Sequence, residues 1–297
     1  MKEIKKVLFV VNPISGNNNK DALVDFVKKE VEKRQGELFI YVTEGENDAK
    51  NIKEKCSKED PDRILVAGGD GTIKMVAEII LNINVPIGIF PEGSANGLAL
   101  NLNIPHTYEK QLKVALGEDI LNMDALMINE NLSLHLADFG INAELIENYE
   151  KANLRGKIGY LIQSIPTLIK SDYPYEFEIK TEKGTYSKTG LVLAIANCQK
   201  YGTGAMINPN GVVNDGVFEI IIFKSLNIID IVKTLTENTT LNPDFAEIFT
   251  SSSATIKCKK PVPFQVDGEY IGELEGVEVS VLKSVIQIAV PSGSLEA

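Results

Sequence analysis

The sequence has few of the residues from which disulfide frameworks and metal sites are built. Its 297 residues include three cysteines, Cys56, Cys198 and Cys258, and two histidines, His106 and His135. An odd number of cysteines without a CxxC pair indicates neither a disulfide framework nor a zinc site. Two histidines are also too few for a histidine-rich metal centre. The low numbers of cysteine and histidine therefore argue against a protein stabilised by disulfides or by zinc.

Long apolar runs and an excess of positive charge are missing as well. No stretch approaches the ~18 apolar residues of a membrane span, and the longest candidate, residues 79–90, is interrupted by asparagines and Pro86. The first residues lead into a run too short for a signal peptide, so the expected location is the cytoplasm. Lysine and arginine number 30 against 41 aspartates and glutamates, a net charge of −11. This balance argues against nucleic-acid binding and against polybasic docking on anionic lipid.

What the sequence does contain, over about its first 120 residues, is an alternation of short apolar runs with amphipathic stretches. The apolar runs are predicted as buried strands, and the amphipathic stretches as helices with one apolar face. The strands are predicted at residues 7–11, 38–43, 63–67 and 86–90, and the helices at 21–34, 47–56 and 72–81. Strand–helix alternation of this kind predicts a parallel sheet covered by helices.

The pattern changes after about residue 120, where Val, Ile and Leu runs recur at short spacing with turn residues between them. Strands are predicted at residues 133–139, 175–181, 190–197, 217–223, 254–257, 277–282 and 285–290, and helices near 142–153 and 158–170. This density of short strands predicts a β-sandwich or barrel. We therefore expect an N-terminal parallel-sheet α/β domain over residues 1–122 and a C-terminal β-sandwich domain over 123–297. The last few residues are free to return to the first domain, and a ligand cleft is expected between the two.

The strongest single motif is Gly68-Gly69-Asp70-Gly71-Thr72, which stands between a predicted strand and a predicted helix. Glycines there let the backbone turn tightly and approach a ligand, and the N–H groups at the start of the helix form an anion site. A carboxylate in such a loop repels phosphate unless it works through a metal or orients a donor. Asp70 is therefore a candidate for a position near Mg²⁺. The alternative interpretation is a plain strand-to-helix turn.

Two other loops leave the same edge of the predicted sheet. Asn12-Pro13-Ile14-Ser15-Gly16 follows the first strand, and Pro91-Glu92-Gly93-Ser94-Ala95-Asn96 follows the fourth. In an open α/β sheet, ligands bind beyond the carboxyl ends of the strands. Each loop alone is weak evidence, but together the three predict a phosphate-binding site.

These motifs, in this order, resemble the lipid kinase family that contains bacterial diacylglycerol kinases and eukaryotic sphingosine and ceramide kinases. Later segments look like the family's glycine-rich segment and its C-terminal acidic motif. These segments are Asn197, Tyr201-Gly202-x-Gly204, Pro209, Asn214-Asp215-Gly216 and Asp267-Gly268-Glu269. The resemblance implies a fold like that of NAD kinases and diacylglycerol kinases. The Gly68–Thr72 block is shared with NAD kinases and phosphofructokinases, so the later motifs make the lipid kinase resemblance specific.

The resemblance also implies roles for individual residues. The implied ATP-binding residues are Asn12, Pro13, Ser15, Gly16, Thr43, Gly68, Gly69, Asp70, Gly71, Thr72, Gly93 and Ser94. The implied catalytic residues are Asp70, together with Asp267 or Glu269 as the base that receives the proton of the substrate hydroxyl. The implied structural Mg²⁺ site is Asp215 with the backbone carbonyls of Val212 and Val217, and with Asp124 nearby. Without the resemblance, Asp267-Gly268-Glu269 is better interpreted as a hairpin turn, because Asp-Gly is a favoured turn pair.

Two positions depart from the family pattern. Met75 stands where members often carry an acid, and Gly97 where diacylglycerol kinases usually have aspartate. The segment from Gly93 to Ala99 is closer to the sphingosine kinase pattern, so glycerolipid and sphingoid substrates both stay open. Two further polar residues are noted: Lys20 is expected as a solvated lysine, with nucleotide contact as the alternative. Asp138 interrupts an apolar strand, where a buried carboxylate is costly unless paired.

The resulting expectation is a kinase that uses ATP and Mg²⁺ to phosphorylate a hydroxyl of a diacylglycerol or sphingoid-type lipid. One alternative is a kinase of a soluble substrate on the same fold, such as an NAD kinase. Another is a regulator that binds nucleotide or lipid without turnover. The expected partners are a lipid substrate and, transiently, a membrane surface, with no nucleic acid; a homodimer is left open.

Overall fold

The computed structural model describes residues 4–16, 19–81, 83–143, 174–200, 206–225 and 242–294. It divides into two compact units: residues 1–123 with 284–297, and residues 124–283. The predicted helix at 158–170, most of the predicted helix at 142–153 and the Tyr201–Gly204 motif lie outside the described residues. None of the helices in the described ranges is long and apolar enough to cross a membrane.

The first unit is built on a parallel sheet, as predicted. The elements, in chain order, are β1 (Lys6–Val11), α1 (Asp21–Lys33), β2 (Glu37–Val42), α2 (Asp48–Glu59), β3 (Arg63–Gly68), α3 (Asp70–Ile80), β4 (Ile87–Pro91), α4 (Gly97–Asn101) and α5 (Tyr108–Ala115). The strands lie in the order β4-β3-β1-β2, all parallel, and Ile288, near the end of the chain, pairs in parallel with Ile87 of β4. Each strand and helix predicted for this region is confirmed.

The apolar patterning of the first unit explains its packing. All six residues of β3 are buried, which is typical of a strand covered on both faces. Helix α1 buries Leu23, Val27 and Val31, which recur at a spacing of four residues and so form one stripe. This stripe packs in one cluster with Phe9 of β1 and with α5. The carboxyl ends of β1, β3 and β4 consequently end beside one another at one edge of the sheet.

The second unit is built from antiparallel strands. The strands are β5 (Ile120–Ile128), β6 (Asn131–Ser133), β7 (Leu136–Gly140), β8 (Tyr175–Thr181), β9 (Gly184–Gly190), β10 (Val192–Ala196), β11 (Phe218–Phe223), β12 (Ala246–Ser251), β13 (Ser253–Val266) and β14 (Glu269–Ala289). Strands β12, β11, β10, β7 and β13 lie in that order, β13 also pairs with β8 and β14, and β8 pairs with β9. Strands β5 and β14 have residues in both units because the chain passes from one unit to the other there.

Two strand predictions are wrong. The runs at residues 277–282 and 285–290 were predicted as separate strands but form one strand, β14, which ends at Ala289. The second error bears on the site. Residues 133–139 are not a single strand, since β6 ends at Ser133 and β7 begins at Leu136. The backbone N–H groups of Leu134, His135 and Leu136 all donate to the carboxylate of Asp267. A backbone that wraps around one carboxylate cannot present these N–H groups to a neighbouring strand. The break in the strand is therefore part of the local structure around Asp267.

Candidate active site

Three loops of the first unit are tied together at the carboxyl edge of its sheet. The backbone N–H of Asn12 donates to the carbonyl of Ala67 at 2.9 Å, and the side-chain amide of Asn12 donates to Thr72 Oγ1 at 2.9 Å. The N–H of Glu92 donates to the carbonyl of Gly68 at 2.9 Å. The loops after β1, β3 and β4, which were predicted separately, thus form one cluster.

The loops after β3 and β4 pack backbone against backbone. A Cβ atom on Gly93 would lie 2.5 Å from the Cα of Gly69, closer than any side chain can approach. A Cβ on Gly16, which has a φ of +61°, would lie 2.7 Å from the carbonyl oxygen of Glu92. Glycine is needed at these contacts because another residue would push the loops apart. The glycines therefore set the spacing of the candidate phosphate site.

Asp70 uses its carboxylate to hold the start of α4. Its two oxygens accept hydrogen bonds from the backbone N–H groups of Gly97, at 2.9 Å, and Leu98, at 3.1 Å. These groups belong to the first turn of a helix, where N–H groups lack partners within the helix. Of the two explanations for a carboxylate in this loop, a metal or an oriented donor, these contacts provide the second. Contact of Asp70 with Mg²⁺ stays a prediction.

The loop after β4 closes on itself through Asn96, which has a positive φ of 55°. Its side-chain oxygen accepts from the N–H of Gly93 at 2.7 Å, and its side-chain nitrogen donates to the carbonyl of Gly93 at 2.9 Å. Ser94 lies exposed on this closed loop. In the loop after β1, Ser15 Oγ donates to the carbonyl of Asn12. Thr43, directly after β2, donates its N–H to the carbonyl of Val11 at the same edge.

A buried ion pair lies beside these loops, and the sequence did not predict it. Lys20 Nζ is 2.6 Å from Glu92 Oε2, and the two side chains are 4% and 7% exposed. Tyr108 donates its hydroxyl hydrogen to Glu92 Oε1 at 2.9 Å. Burial, followed by this hydrogen bond, raises the pKa of the Tyr108 phenol. The expectation that Lys20 is solvated is therefore wrong, because Glu92 provides a buried counter-charge.

A cavity of ≈ 650 Å³ opens next to this pair. It is lined by Gly16, Pro91, Glu92, Gly93, His106, Thr107, Tyr108, Glu109 and Gln111. Its volume lies within the range of small-molecule and cofactor sites. Two of its lining residues, Gly16 and Gly93, belong to the predicted nucleotide-binding set.

In the second unit, Asp267 and Gly268 form the two-residue turn between β13 and β14. Val266 pairs with Glu269 across the turn, and Asp267 and Gly268 both have positive φ, of 50° and 88°. This is the backbone of a tight hairpin, so the hairpin interpretation is confirmed. Glu269 is the exposed first residue of β14.

The carboxylate of Asp267 is surrounded by donors. Ser133 Oγ and the N–H groups of Leu134, His135 and Leu136 donate to it over 2.9–3.0 Å. Four donors to one carboxylate fix its position, and each of these hydrogen bonds is strengthened by the negative charge of the acceptor. Asp267 thereby anchors the hairpin to the β6–β7 connection. The two acids of the motif consequently have different surroundings.

The predicted metal-binding residues lie on a loop that docks on Asp124. The carboxylate of Asp124, which is 1% exposed, accepts from the N–H of Gly216 at 2.7 Å, and its own N–H donates to the carbonyl of Val213. Asp215 is exposed and accepts from the N–H of Val217 at 3.1 Å. The side chain of Asn197 donates to the carbonyl of Asp124 at 3.0 Å, which links Asp124 to the residue that follows β10.

The chemistry of this loop fits a magnesium ion. Carboxylates and backbone carbonyls are hard oxygen ligands, which Mg²⁺ prefers, and Mg²⁺ usually retains several waters. Within the described ranges, no group of three or more His, Cys, Asp or Glu side chains could hold a metal. A magnesium ion held by Asp215 and Asp124 would therefore need the carbonyls of Val212 and Val217 and water to complete its coordination.

Comparison with known proteins matches almost the whole chain. The family model "Diacylglycerol kinase catalytic domain" matches residues 6–128, and "YegS C-terminal NAD kinase beta sandwich-like domain" matches residues 136–290. The lipid kinase YegS of Escherichia coli K12 is 27% identical over 265 residues, which are 86% of each chain. The crystal structure of a diacylglycerol kinase from Bacillus anthracis superposes with a TM-score of 0.80 at 19% identity, and the alignment covers 99% of this chain and 100% of that one. The α/β domain followed by a β-sandwich is thus confirmed.

Proposed function

The chain belongs to the lipid kinase family that joins a diacylglycerol kinase catalytic domain to a YegS C-terminal domain. From this premise we propose that it transfers the γ-phosphoryl group of ATP, with Mg²⁺, to a hydroxyl of a lipid. The observation that carries the proposal is the backbone packing of the three loops at the edge of the first unit's sheet, with Gly93 against Gly69. Such loops present N–H groups and little side-chain bulk, which is what a triphosphate needs.

The nucleotide is held by the first unit. Phosphoryl transfer depends mainly on positioning and on neutralising charge, so loop N–H groups and hydroxyls are suitable ligands for the phosphates. Ser94, exposed on the loop that Asn96 closes, offers a hydroxyl to a phosphate oxygen. Asp70 contributes indirectly, because its hydrogen bonds to the N–H groups of Gly97 and Leu98 fix the start of α4, which directly follows the Ser94 loop.

The metal is held by the second unit. Asp215 and the carbonyls of Val212 and Val217 would bind Mg²⁺, and Asp124 would hold their loop through the N–H of Gly216. When bound, Mg²⁺ would supply positive charge that offsets the negative charge of the carboxylates at this loop. Asp124 itself sets the shape of the loop, since it contacts backbone groups on both sides of Asp215, namely the carbonyl of Val213 and the N–H of Gly216.

Glu269 is the proposed general base, and Asp267 the residue that places it. The oxygens of Asp267 already accept four hydrogen bonds, so taking a proton from a substrate would break this set. Glu269 stands two residues away at the exposed start of β14, where a hydroxyl can approach within hydrogen-bond distance. The proton of the acceptor hydroxyl passes to the Glu269 carboxylate as the oxygen attacks the γ-phosphorus, and the bond from that phosphorus to the β,γ-bridging oxygen breaks, so that ADP leaves.

The test is transfer of labelled phosphate from ATP and Mg²⁺ to diacylglycerols, monoacylglycerols, sphingoid bases and ceramide in mixed micelles, with NAD as a soluble acceptor. We expect labelling of one lipid class. Labelling of NAD alone would identify a kinase of a soluble substrate, and ATP binding without any labelling would identify a regulator. Either result would overturn the proposal.

The base is tested with a matched pair of variants. Glu269→Gln should lower kcat by roughly 10²- to 10⁴-fold, the usual contribution of general base catalysis. Glu273→Gln, an exposed glutamate four residues along the same strand, should leave kcat unchanged. Asp267→Asn should lower both kcat and thermal stability, because it disturbs the anchor of the hairpin. Near-normal turnover of Glu269→Gln would show that Glu269 is not the base.

A further inference from the structure

A buried carboxylate lies on the sheet of the second unit beside the Asp267–Glu269 hairpin. Asp138, in β7, is 1% exposed, while its chain neighbours Ala137 and Phe139 belong to the apolar core on the opposite face. Asp138 pairs with Gln265 of β13 and with Ala194 of β10. A buried carboxylate costs free energy unless its environment compensates, so its contacts are informative.

The contacts of Asp138 lead to the hairpin through a single glutamine. Asp138 Oδ2 accepts from Gln265 Nε2 at 2.5 Å and from Asn142 Nδ2 at 2.6 Å. Gln265 is fully buried, and its Oε1 accepts from the backbone N–H of Gly268 at 2.8 Å. Gly268 is the second residue of the turn that precedes Glu269. The carboxylate and the turn are thus connected by two consecutive hydrogen bonds.

The charge of Asp138 determines which way the amide of Gln265 points. An ionised carboxylate only accepts hydrogen bonds, so it requires the NH₂ group of Gln265 on its side. The amide oxygen is then directed to the N–H of Gly268. A protonated aspartate or an asparagine at position 138 can donate a hydrogen bond, so it can also accommodate the Gln265 amide rotated by half a turn. In that rotated state the NH₂ group of Gln265 would face the N–H of Gly268, and the hydrogen bond to Gly268 would be lost. The ionised state of Asp138 therefore favours the hydrogen bond that holds the turn.

We propose that Asp138 is a positioning residue, which holds Gly268, and through it Glu269, in place by fixing the orientation of the Gln265 amide. The kinetic consequence rests on the function proposed above. The structural consequence does not, because the hydrogen bond to Gly268 is a property of the folded chain alone.

The environment of Asp138 makes its hydrogen-bond connection to Gly268 sensitive to pH. Burial raises the pKa of the Asp138 carboxyl to about 7, opposed by hydrogen bonds from Gln265, Asn142 and the backbone of Ala143. On the same face, β10 places the uncharged Ala194 next to Asp138. Two other carboxylates of that face are bound to other groups: Glu219 of β11 to Asn208, and Asp267 to the β6–β7 connection. As the pH falls through about 7, Asp138 gains a proton and its preference for one orientation of the Gln265 amide weakens.

The first arm of the test does not require activity. Hydrogen exchange of the Gly268 amide is measured in the whole protein for wild type, Asp138→Asn, Gln265→Met and the double variant. We expect exchange to rise roughly two- to tenfold in Asp138→Asn, in line with the loss of one hydrogen bond. The double variant should exchange no faster than Gln265→Met, because Asp138 acts only through Gln265. Unchanged exchange in Asp138→Asn, or additive effects in the double variant, would overturn the proposal.

The second arm is the pH profile of kcat between about pH 6 and pH 8. In wild type, kcat should fall as Asp138 becomes protonated, whereas Asp138→Asn should have a low kcat that is flat over this range, with an unchanged KM for ATP. Asn142→Ala removes a donor that lowers the pKa of Asp138, so it should move the midpoint to higher pH. This variant leaves Gln265 intact and so serves as a check if Asp138→Asn does not fold. Identical profiles in wild type and Asn142→Ala would overturn the proposal. An inactive wild-type protein would refute the proposed function and leave the exchange arm decisive.

Discussion

The buried pair of Lys20 and Glu92 allows a quantitative prediction for the stability of the first unit. Lys20→Met keeps most of the volume of the side chain and removes its charge. Glu92 then retains the hydroxyl of Tyr108 as a partner but loses the ammonium group 2.6 Å away, in surroundings where its side chain is 7% exposed. Breaking a buried ion pair by removing one partner costs about 3–5 kcal/mol, because the remaining charge stays buried and uncompensated.

The expected loss of stability is large enough for an ordinary thermal melt. For a chain of this size, 1 kcal/mol corresponds to a shift of about 2–4 °C in Tm, so Lys20→Met should lower Tm by roughly 6–20 °C. Lys33→Met is the matched control on the same helix: its pair with Glu30 is exposed, with the lysine side chain 69% accessible. An exposed pair of this kind contributes only about 0–1 kcal/mol. The control should therefore melt close to wild type.

A double variant separates charge from packing. Lys20→Met combined with Glu92→Gln removes both charges and keeps an acceptor for the hydroxyl of Tyr108. It should recover most of the lost stability, because replacing a whole buried pair by neutral groups is often close to neutral. If Lys20→Met alone lies within about 1 kcal/mol of wild type, the pair behaves as a solvated one and the reasoning is refuted. A double variant no more stable than the single would show that packing, and not charge, explains the loss.

Three further predictions concern the loops. Gly93→Ala would place a Cβ 2.5 Å from the Cα of Gly69, so the affinity for ATP should fall at least about tenfold in a nucleotide titration, and unchanged affinity would contradict the close packing. In Asp70→Asn, the new NH₂ group would face one of the two backbone N–H groups, of Gly97 and Leu98, that now donate to the carboxylate. The free energy of unfolding, measured by chemical denaturation, should fall by about 1.5–3 kcal/mol, and turnover should stop. Asp215→Ala should raise the Mg²⁺ concentration for half-maximal activity, and an unchanged requirement would place the metal elsewhere.

Much of the first unit could be predicted from the sequence because its signals are local. A strand buried on both faces, such as Arg63–Gly68, is a continuous apolar run, and the stripe of α1 repeats at helical spacing. The second unit was harder. Strand Gly184–Gly190 is polar and largely exposed, so neither apolar alternation nor an apolar run identifies it. The division of residues 133–139 could not be predicted either, because it depends on Asp267, which is 131 to 134 residues away.

The candidate site divides in the same way. Its loops could be predicted because glycines between a strand and a helix are a local pattern, and the structure brings the three loops together. The buried pair of Lys20 and Glu92 joins residues 72 positions apart, and the contact of Asp138 with Gln265 joins residues 127 apart. No periodicity connects such positions. A carboxylate within an apolar strand indicated that Asp138 needed a partner, but not which one.

Three of the acids singled out in the sequence share a structural role, because each accepts hydrogen bonds from backbone N–H groups. Asp70 binds the N–H groups that begin α4, Asp124 binds the N–H of Gly216, and Asp267 binds the N–H groups between β6 and β7. In each case the carboxylate replaces an absent backbone partner and fixes a loop. Fixing loops in this way suits phosphoryl transfer, because that reaction depends on positioned donors and charges more than on covalent chemistry. An acid that holds backbone N–H groups in this way is poorly suited to accept a proton. The base is therefore better sought at the exposed Glu269 than at these three aspartates.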